Sequence, residues 1–321
     1  MSSLIKAARL EKGMTIGLIA AAYPVEGREK SAAAIELIET LGFQAKPGAS
    51  LQQQYGYLAG KDAERAADLN NMFADPEVDG IMIYRGGYGS SRLLPLLDYD
   101  LIRNNPKMIM GYSDITSLLN GIYIQTGLIT FHGHMVSKSF SDYTLAEFKK
   151  VLMEGPKTCQ IGAPPAFVKK EGKVDYENRV QSLFSGKTKG RLIGGNLSLL
   201  AQLMGTPYQP DFEGNILVLE EIDEPVYAVD RYLTQLWLSG SLQKLVGIAF
   251  GKFTDCNSEA SLAKRLTLEE VFTEYCEKLS IPAMAGLMMG HIEDQTTIPI
   301  GCMAELDADA GTLTLLEQAI I

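Results

Sequence analysis

The sequence predicts an α/β protein built on a mostly parallel sheet with helices on both faces. Short apolar runs alternate with helix-period segments through the first half of the 321-residue chain. Such alternation reflects a sheet whose strands are buried on both sides, each linked to the next by a covering helix. Glycine-rich turns follow two of the apolar runs, at the strand ends where sheets of this kind bind their ligands. Hydrophobic residues make up 46% of the chain, enough at this length for a sizeable core and two domains.

Taken in order, Thr15 to Ala22 reads as a buried first strand and Glu29 to Leu41 as a helix stopped by Gly42. Phe43 to Lys46 follows, then a charged helix from Lys61 to Phe73 and a second clear strand, Gly80 to Tyr84. Strand and helix repeat at Met108 to Met110 and Ile115 to Gln125, and again at Leu128 to Phe131 and Leu145 to Met153. The texture changes from Pro156 to Lys189, where prolines, glycines and charges read as a connector. Residues 1–158 are therefore expected to form an N-terminal α/β domain, 159–189 a linker and 190–321 a C-terminal domain. Within the last, Ile216 to Leu219 and Val246 to Phe250 read as strands, and Tyr227 to Leu238 and Leu268 to Lys278 as helices. Met303 to Leu315 alternates like a β-hairpin, with Asp307 and Asp309 as turn residues.

A formal net charge of −10 disfavours a nucleic-acid partner, which calls for a concentrated basic face. Cys159, Cys256, Cys276 and Cys302 are widely spaced and read as free thiols in a reducing compartment. The first dozen residues lack the apolar core of a signal peptide, and no apolar run reaches the ~18 residues of a membrane span. A cytoplasmic location and no membrane partner are expected.

The most informative stretch is Gly111-Tyr112-Ser113-Asp114, between a short strand and a helix. A serine on such a turn exposes its hydroxyl beside free helix N–H groups, as a nucleophile requires. Serine is also an ordinary helix cap. A nucleophile needs a base, and the chain has three histidines. His291 follows an apolar stretch in a polar loop, where it either reaches across a cleft or is merely solvated. His132 and His134 have metal-ligand spacing but no matching cluster nearby in sequence, so structural or substrate-lining roles are favoured and no metal is expected. Glu220 ends an apolar strand, as an imidazole-orienting carboxylate would, while Glu221, Asp223 and Glu224 are expected to face solvent. The competing reading makes the whole run an acidic loop. Arg85-Gly86-Gly87-Tyr88-Gly89-Ser90 follows another strand and offers backbone N–H groups, with Gly87 the favoured oxyanion donor. Its spacing fits neither common phosphate-loop pattern. The absence of a second glycine after Ser113 disfavours an ordinary α/β-hydrolase.

Together with Gly194-Gly195-Asn196-Leu197, Leu219-Glu220-Glu221 through Asp230-Arg231, and Gly290-His291, these segments resemble the LD-carboxypeptidase family of serine peptidases, which includes the microcin C immunity peptidases. The matching stretches span nearly the whole chain in family order. The resemblance implies a Ser113–Glu220–His291 triad, with the N–H groups of Gly87 and Asp114 as oxyanion hole. It implies a flavodoxin-like N-terminal domain, a smaller β-rich α+β C-terminal domain, a homodimer and no cofactor. His134 departs from it, standing where the family has proline. The implied substrate is a muropeptide tetrapeptide, cleaved before its terminal D-alanine; Arg85, Arg231 and Ser90 are candidates for holding the terminal carboxylate. The alternative within the family is a microcin C-type peptidase acting on peptidyl or aminoacyl nucleotides, a subgroup that stacks an interdomain-loop tryptophan on the base. The lone Trp237 falls instead in a helix pattern. An alternative from another class is a non-catalytic anion- or nucleotide-binding α/β protein.

Overall fold

The computed structural model describes residues 4–167, 171–174, 178–256 and 266–321. The N-terminal sheet contains strands β1 (Thr15–Ile19), β2 (Gln44–Pro47), β3 (Gly80–Ile83), β4 (Met108–Gly111) and β5 (Thr130–His132). They are parallel and lie in the order β2-β1-β3-β4-β5, the flavodoxin-like arrangement whose crevice opens between β1 and β3. The connecting helices include α1 (Arg28–Thr40), α2 (Asp62–Ala74), α3 (Tyr99–Asn104) and α4 (Thr116–Thr126); α5 (Asp142–Lys149) follows β5.

The second sheet has eight strands. Its centre is parallel: β8 (Lys187–Asn196), β9 (Ile216–Ile222), β10 (Gly247–Thr254) and β11 (Ala283–Ala285). Between these strands run α6 (Leu197–Gln202), α7 (Val226–Leu238) and α8 (Leu268–Leu279). The expected hairpin is present as β13 (Met303–Asp307) and β14 (Thr312–Leu315), and Asp307 accepts a turn hydrogen bond from the Ala310 N–H. Antiparallel strands β6 (Cys159–Ile161) and β7 (Gln181–Phe184) close the two edges. Both lie in the stretch read as a linker, which therefore contributes to the sheet. They are short and partly exposed, so they lack the apolar alternation that would mark them.

The two sheets share a core. On β9, Ile216 and Val218 join the cluster that continues from the N-terminal sheet. Leu217 and Leu219 point the other way, into a cluster beneath α7 and α8. Period-2 alternation thus places apolar side chains on both faces, and β9 is buried from Ile216 to Glu221. Strand β12 (Ile298–Ile300) crosses back to pair antiparallel with β5, setting Ile298 opposite His132. The C-terminal chain therefore completes the first sheet and seals its edge.

Candidate active site

Strand β4 is fully buried and ends at Gly111; two residues on, Ser113 adopts φ 61. This left-handed conformation costs an L-residue about 1–2 kcal/mol and is held by the packed strand and helix on either side. Gly86 makes room for it: a β-carbon there would lie 3.2 Å from the Ser113 hydroxyl oxygen and 3.4 Å from the Asp114 nitrogen. Gly87 has φ 124, and a β-carbon on it would strike the Tyr23 ring at 2.2 Å. Tyr23 thus supports the glycine loop from below.

Asp114 fastens that loop to the serine turn. Its carboxylate accepts the N–H groups of Gly89 at 3.2 Å and Ser90 at 2.8 Å, and the Ser90 hydroxyl donates to the Asp114 carbonyl at 2.5 Å. Burial raises the Asp114 carboxyl above its ordinary pKa, against the hydrogen bonds from Ser90 and Gly89. Ser90 is fully buried and its hydroxyl is committed, so the expectation that it holds a substrate carboxylate is corrected: it braces the loop.

Glu220 and His291 come from the second sheet. Glu220 lies at the end of β9, opposite Asn196 of β8, and is completely buried. Its Oε2 is 2.8 Å from Nδ1 of His291. The imidazole retains 15% side-chain exposure, and the Tyr112 ring packs edge-on against it with centroids 4.9 Å apart. Since Tyr112 immediately precedes Ser113, this contact seats the histidine at the serine turn. A carboxylate at Nδ1 favours the tautomer with its proton there, leaving Nε2 as an acceptor able to take a proton.

Glu221 does not face solvent as expected. It is 2% exposed, accepts hydrogen bonds from the Asn196 amide and the Ser198 N–H, both at 2.7 Å, and burial raises its pKa. The pleat explains the pair: adjacent residues on a strand point to opposite faces, and both faces here are covered. Asp223, in contrast, is exposed.

His132 is fully buried against Tyr112, with ring centroids 6.0 Å apart, and burial lowers its pKa to about 4. The Nε2 of His134 lies 3.0 Å from the Lys138 carbonyl, and its ring packs on Phe140 at 4.6 Å. Among the described residues no group of three His, Cys, Asp or Glu side chains is placed to hold a metal. Arg85 is paired with Glu26 at 3.3 Å and lies over the Tyr23 ring at 5.6 Å, while Arg231 stands exposed on α7 over Tyr227 and Tyr232. Cys159, Cys256, Cys276 and Cys302 are free, and burial pushes the last three thiols up to about 12. Trp237, partly buried on α7, packs against the cluster beneath α7 and α8 through Tyr275, with Lys278 over its ring.

A cavity of about 440 Å³ adjoins the turn, bounded by Gly87 and Asp114 and by Ser198, Glu224, Tyr232 and Gln235 of the second unit. Of the residues singled out in the sequence, the structure brings Glu220 and His291 into contact and sets Tyr112, the neighbour of Ser113, against the imidazole; sequence reasoning did not single out Tyr23, Tyr112 or Glu221. Their neighbours, Gly87, Ser113 and Gly194-Gly195-Asn196, were the available signals.

A flavodoxin-like sheet joined to a mixed sheet, with a half-buried serine on a tight turn beside a carboxylate–imidazole pair, defines a serine-type peptidase of two units. Residues 16–133 match the LD-carboxypeptidase N-terminal domain and residues 189–306 the LD-carboxypeptidase C-terminal domain. The chain belongs to the LD-carboxypeptidase family. It is 38% identical to a probable murein peptide carboxypeptidase of Bacillus subtilis, over 95% of this chain and 92% of the relative. It is 31% identical to the murein tetrapeptide carboxypeptidase of Pseudomonas aeruginosa, covering 86% and 88%. Among solved structures, the wild-type apo microcin C7 self-immunity protein superposes with a TM-score of 0.87 at 30% identity, covering 99% of this chain and 100% of that one.

Proposed function

We propose that the enzyme is a serine carboxypeptidase that removes the terminal D-alanine from muropeptide tetrapeptides, breaking the amide between an L-centre and the D-residue. The observation that carries the reading is the Glu220–His291 pair, 2.8 Å apart and packed through Tyr112 against the strained Ser113 turn. The names of the relatives support the substrate class.

In this reading the Ser113 hydroxyl attacks the scissile carbonyl as His291 Nε2 takes its proton. Glu220 holds the imidazole and stabilises its cationic form. The N–H groups of Gly87 and Asp114 bind the developing oxyanion, a contribution of about 3–4 kcal/mol per donor in serine peptidases. His291 then protonates the leaving amine, and water, deprotonated by the same imidazole, releases the acyl group. The serine comes from the N-terminal unit, 1–158, and the other two members from the C-terminal unit, 190–321, so catalysis depends on how the units pack. A homodimer in the cytoplasm, without metal or cofactor, completes the proposal. No described helix is long and apolar enough to cross a membrane.

The microcin C-type reading draws on the similarity to the self-immunity protein. Trp237 weighs against it, because the only tryptophan lies against Tyr275 and does not line the cavity beside Gly87. Paired assays decide: purified enzyme should release D-alanine from a tetrapeptide and leave an aminoacyl-sulfamoyl adenosine intact. The reverse result overturns the proposal.

A further inference from the structure

Arg65, on α2, is the largest fully buried side chain among the described residues. Taking a guanidinium out of water is costly, and only well-placed acceptors offset the loss. Its Nε donates to the Gly60 carbonyl at 3.2 Å and its Nη2 to the Asp62 carboxylate at 2.6 Å, both at the start of α2. Nη1 donates to two carbonyls at once: that of Ala21, just past β1, and that of Gly89, in the loop after β3, the latter at 2.9 Å. A planar fork reaches all of these from one buried position because its donors diverge in fixed directions, which an ammonium does not offer.

The Ala21 and Gly89 carbonyls belong to the two segments that bracket Gly87. From Ala21 the chain runs to Tyr23, whose ring supports Gly87 and whose N–H donates to the Gly86 carbonyl at 3.4 Å. Beyond Gly87, the peptide joining Gly89 to Ser90 is gripped from both sides. Its carbonyl accepts from Arg65, and its N–H donates to the Asp114 carboxylate at 2.8 Å. Burial raises the Asp114 carboxyl, while the Ser90 and Gly89 hydrogen bonds and the Arg65 charge act against it. Guanidinium, peptide and carboxylate thus form one chain from α2 to the serine turn. Gly87 is suspended between its neighbours, with Gly86 tied to Tyr23 and Gly89 to Arg65. We propose that Arg65 is a positioning residue for the reaction: by holding the Gly89–Ser90 peptide and the Tyr23 segment together, it aims the Gly87 N–H at the developing oxyanion. The proposal rests on the peptidase reading and on Gly87 as an oxyanion donor.

Arg65→Lys keeps the charge and most of the length, and Arg65→Met keeps bulk alone; both are compared with the wild type on the tetrapeptide, well below their unfolding temperatures. A misaimed donor forfeits part of the about 10²–10³-fold that a whole oxyanion donor supplies. Turnover is therefore expected to fall about 10- to 100-fold, less in lysine than in methionine, with KM within about 3-fold of wild type. A peptide boronic acid, with boron in place of the scissile carbonyl carbon, gives a second readout. Boron takes up the Ser113 oxygen, becomes tetrahedral and sets one of its own oxygens at the oxyanion donors. Its inhibition constant should rise in step with the loss of kcat/KM. An arginine serving the fold alone would lower the urea midpoint and leave kcat and boronate inhibition at wild-type values, a result that overturns the proposal. A loss carried by KM alone overturns it as well. If neither variant folds, the guanidinium is a requirement of the fold and the positioning role falls. Wild-type enzyme that releases no D-alanine from the tetrapeptide overturns the peptidase reading, and the proposal with it.

Discussion

Oε2 of Glu220 lies 2.8 Å from Nδ1 of His291, a contact between residues 71 positions apart in sequence. The carboxylate is completely buried and the imidazole nearly so, which strengthens their interaction and fixes the ring. A glutamine at 220 offers an amide N–H or, at best, an uncharged acceptor to Nδ1, and the imidazolium formed during turnover loses its counter-charge. Glu220→Gln is therefore expected to lower kcat by about 10³–10⁴ with little change in KM, by analogy with triads whose carboxylate is replaced by its amide. Steady-state kinetics on the tetrapeptide checks this; a loss confined to KM would contradict the orienting role.

Ser113 combines the proposed nucleophile with a backbone conformation at φ 61 that glycine adopts freely. Ser113→Ala and Ser113→Gly are both expected to lose at least ~10³-fold in turnover. Their stabilities should diverge. Alanine retains the strain, whereas glycine relieves about 1–2 kcal/mol of it and gives back roughly 0.5–1 kcal/mol in unfolded-chain entropy. Urea unfolding should rank Ser113→Gly above Ser113→Ala. The opposite order would mean that the turn stores no strain.

Much of this arrangement was legible in the sequence, and what was not has physical causes. Strands β1, β3, β4 and β9 announce themselves because burial on both faces demands continuous apolar runs. Ser113, Glu220 and His291 stand at the ends of apolar runs, where chemistry-bearing side chains are conspicuous. The three-residue β12 carries no such signal, and its pairing with β5 is a long-range event invisible to local pattern. Glu221 was hidden for a different reason. Charge usually means exposure, and only the fold reveals that Asn196 and Ser198 wait to satisfy it. Ser90 misled in the same way, because its partner is the backbone of Asp114, on another loop.

His132 makes a pH-dependent contribution to stability. Its folded pKa is lowered from 6.5 to about 4, chiefly by burial, while the charge of Glu220 works the other way. Between these values the unfolded chain binds the proton that the native state excludes, so stability rises with pH across this window. As pH falls from 6.5 toward 4, this residue alone is expected to withdraw roughly 3 kcal/mol of stability. In His132→Leu, of similar bulk, that withdrawal is absent. The stability difference between wild type and variant, followed by urea unfolding at successive pH values, should therefore move in the variant's favour as pH drops. A difference that stays flat from pH 7 to 4 would show that His132 titrates alike in the two states. Comparing the two proteins cancels the buried carboxyls Asp114 and Glu221, whose raised pKa values act in the opposite direction.

Asn120 on α4 ties the two units together beneath the site. Its amide donates to the Gly194 carbonyl at 2.8 Å and accepts the Gly194 N–H at 3.2 Å, with all of these groups buried. Gly194 lies near the end of β8, two residues before the Asn196 that holds Glu221, and α4 begins just after the Ser113 turn. The side chain thus links the helix that follows Ser113 to the strand beside Glu220. Asn120→Ala leaves a buried N–H and a buried carbonyl without their partner, which is expected to cost about 2–4 kcal/mol of folding stability. Asn120→Leu separates this cause from simple loss of packing. Leucine restores the volume and neither hydrogen bond, so it should be no more stable than alanine by urea unfolding. Because Gly194 would no longer be held to α4, turnover by both variants should fall even where each remains folded. If leucine instead recovers wild-type stability, the two units are joined by packing alone and the hydrogen-bonded link is incidental.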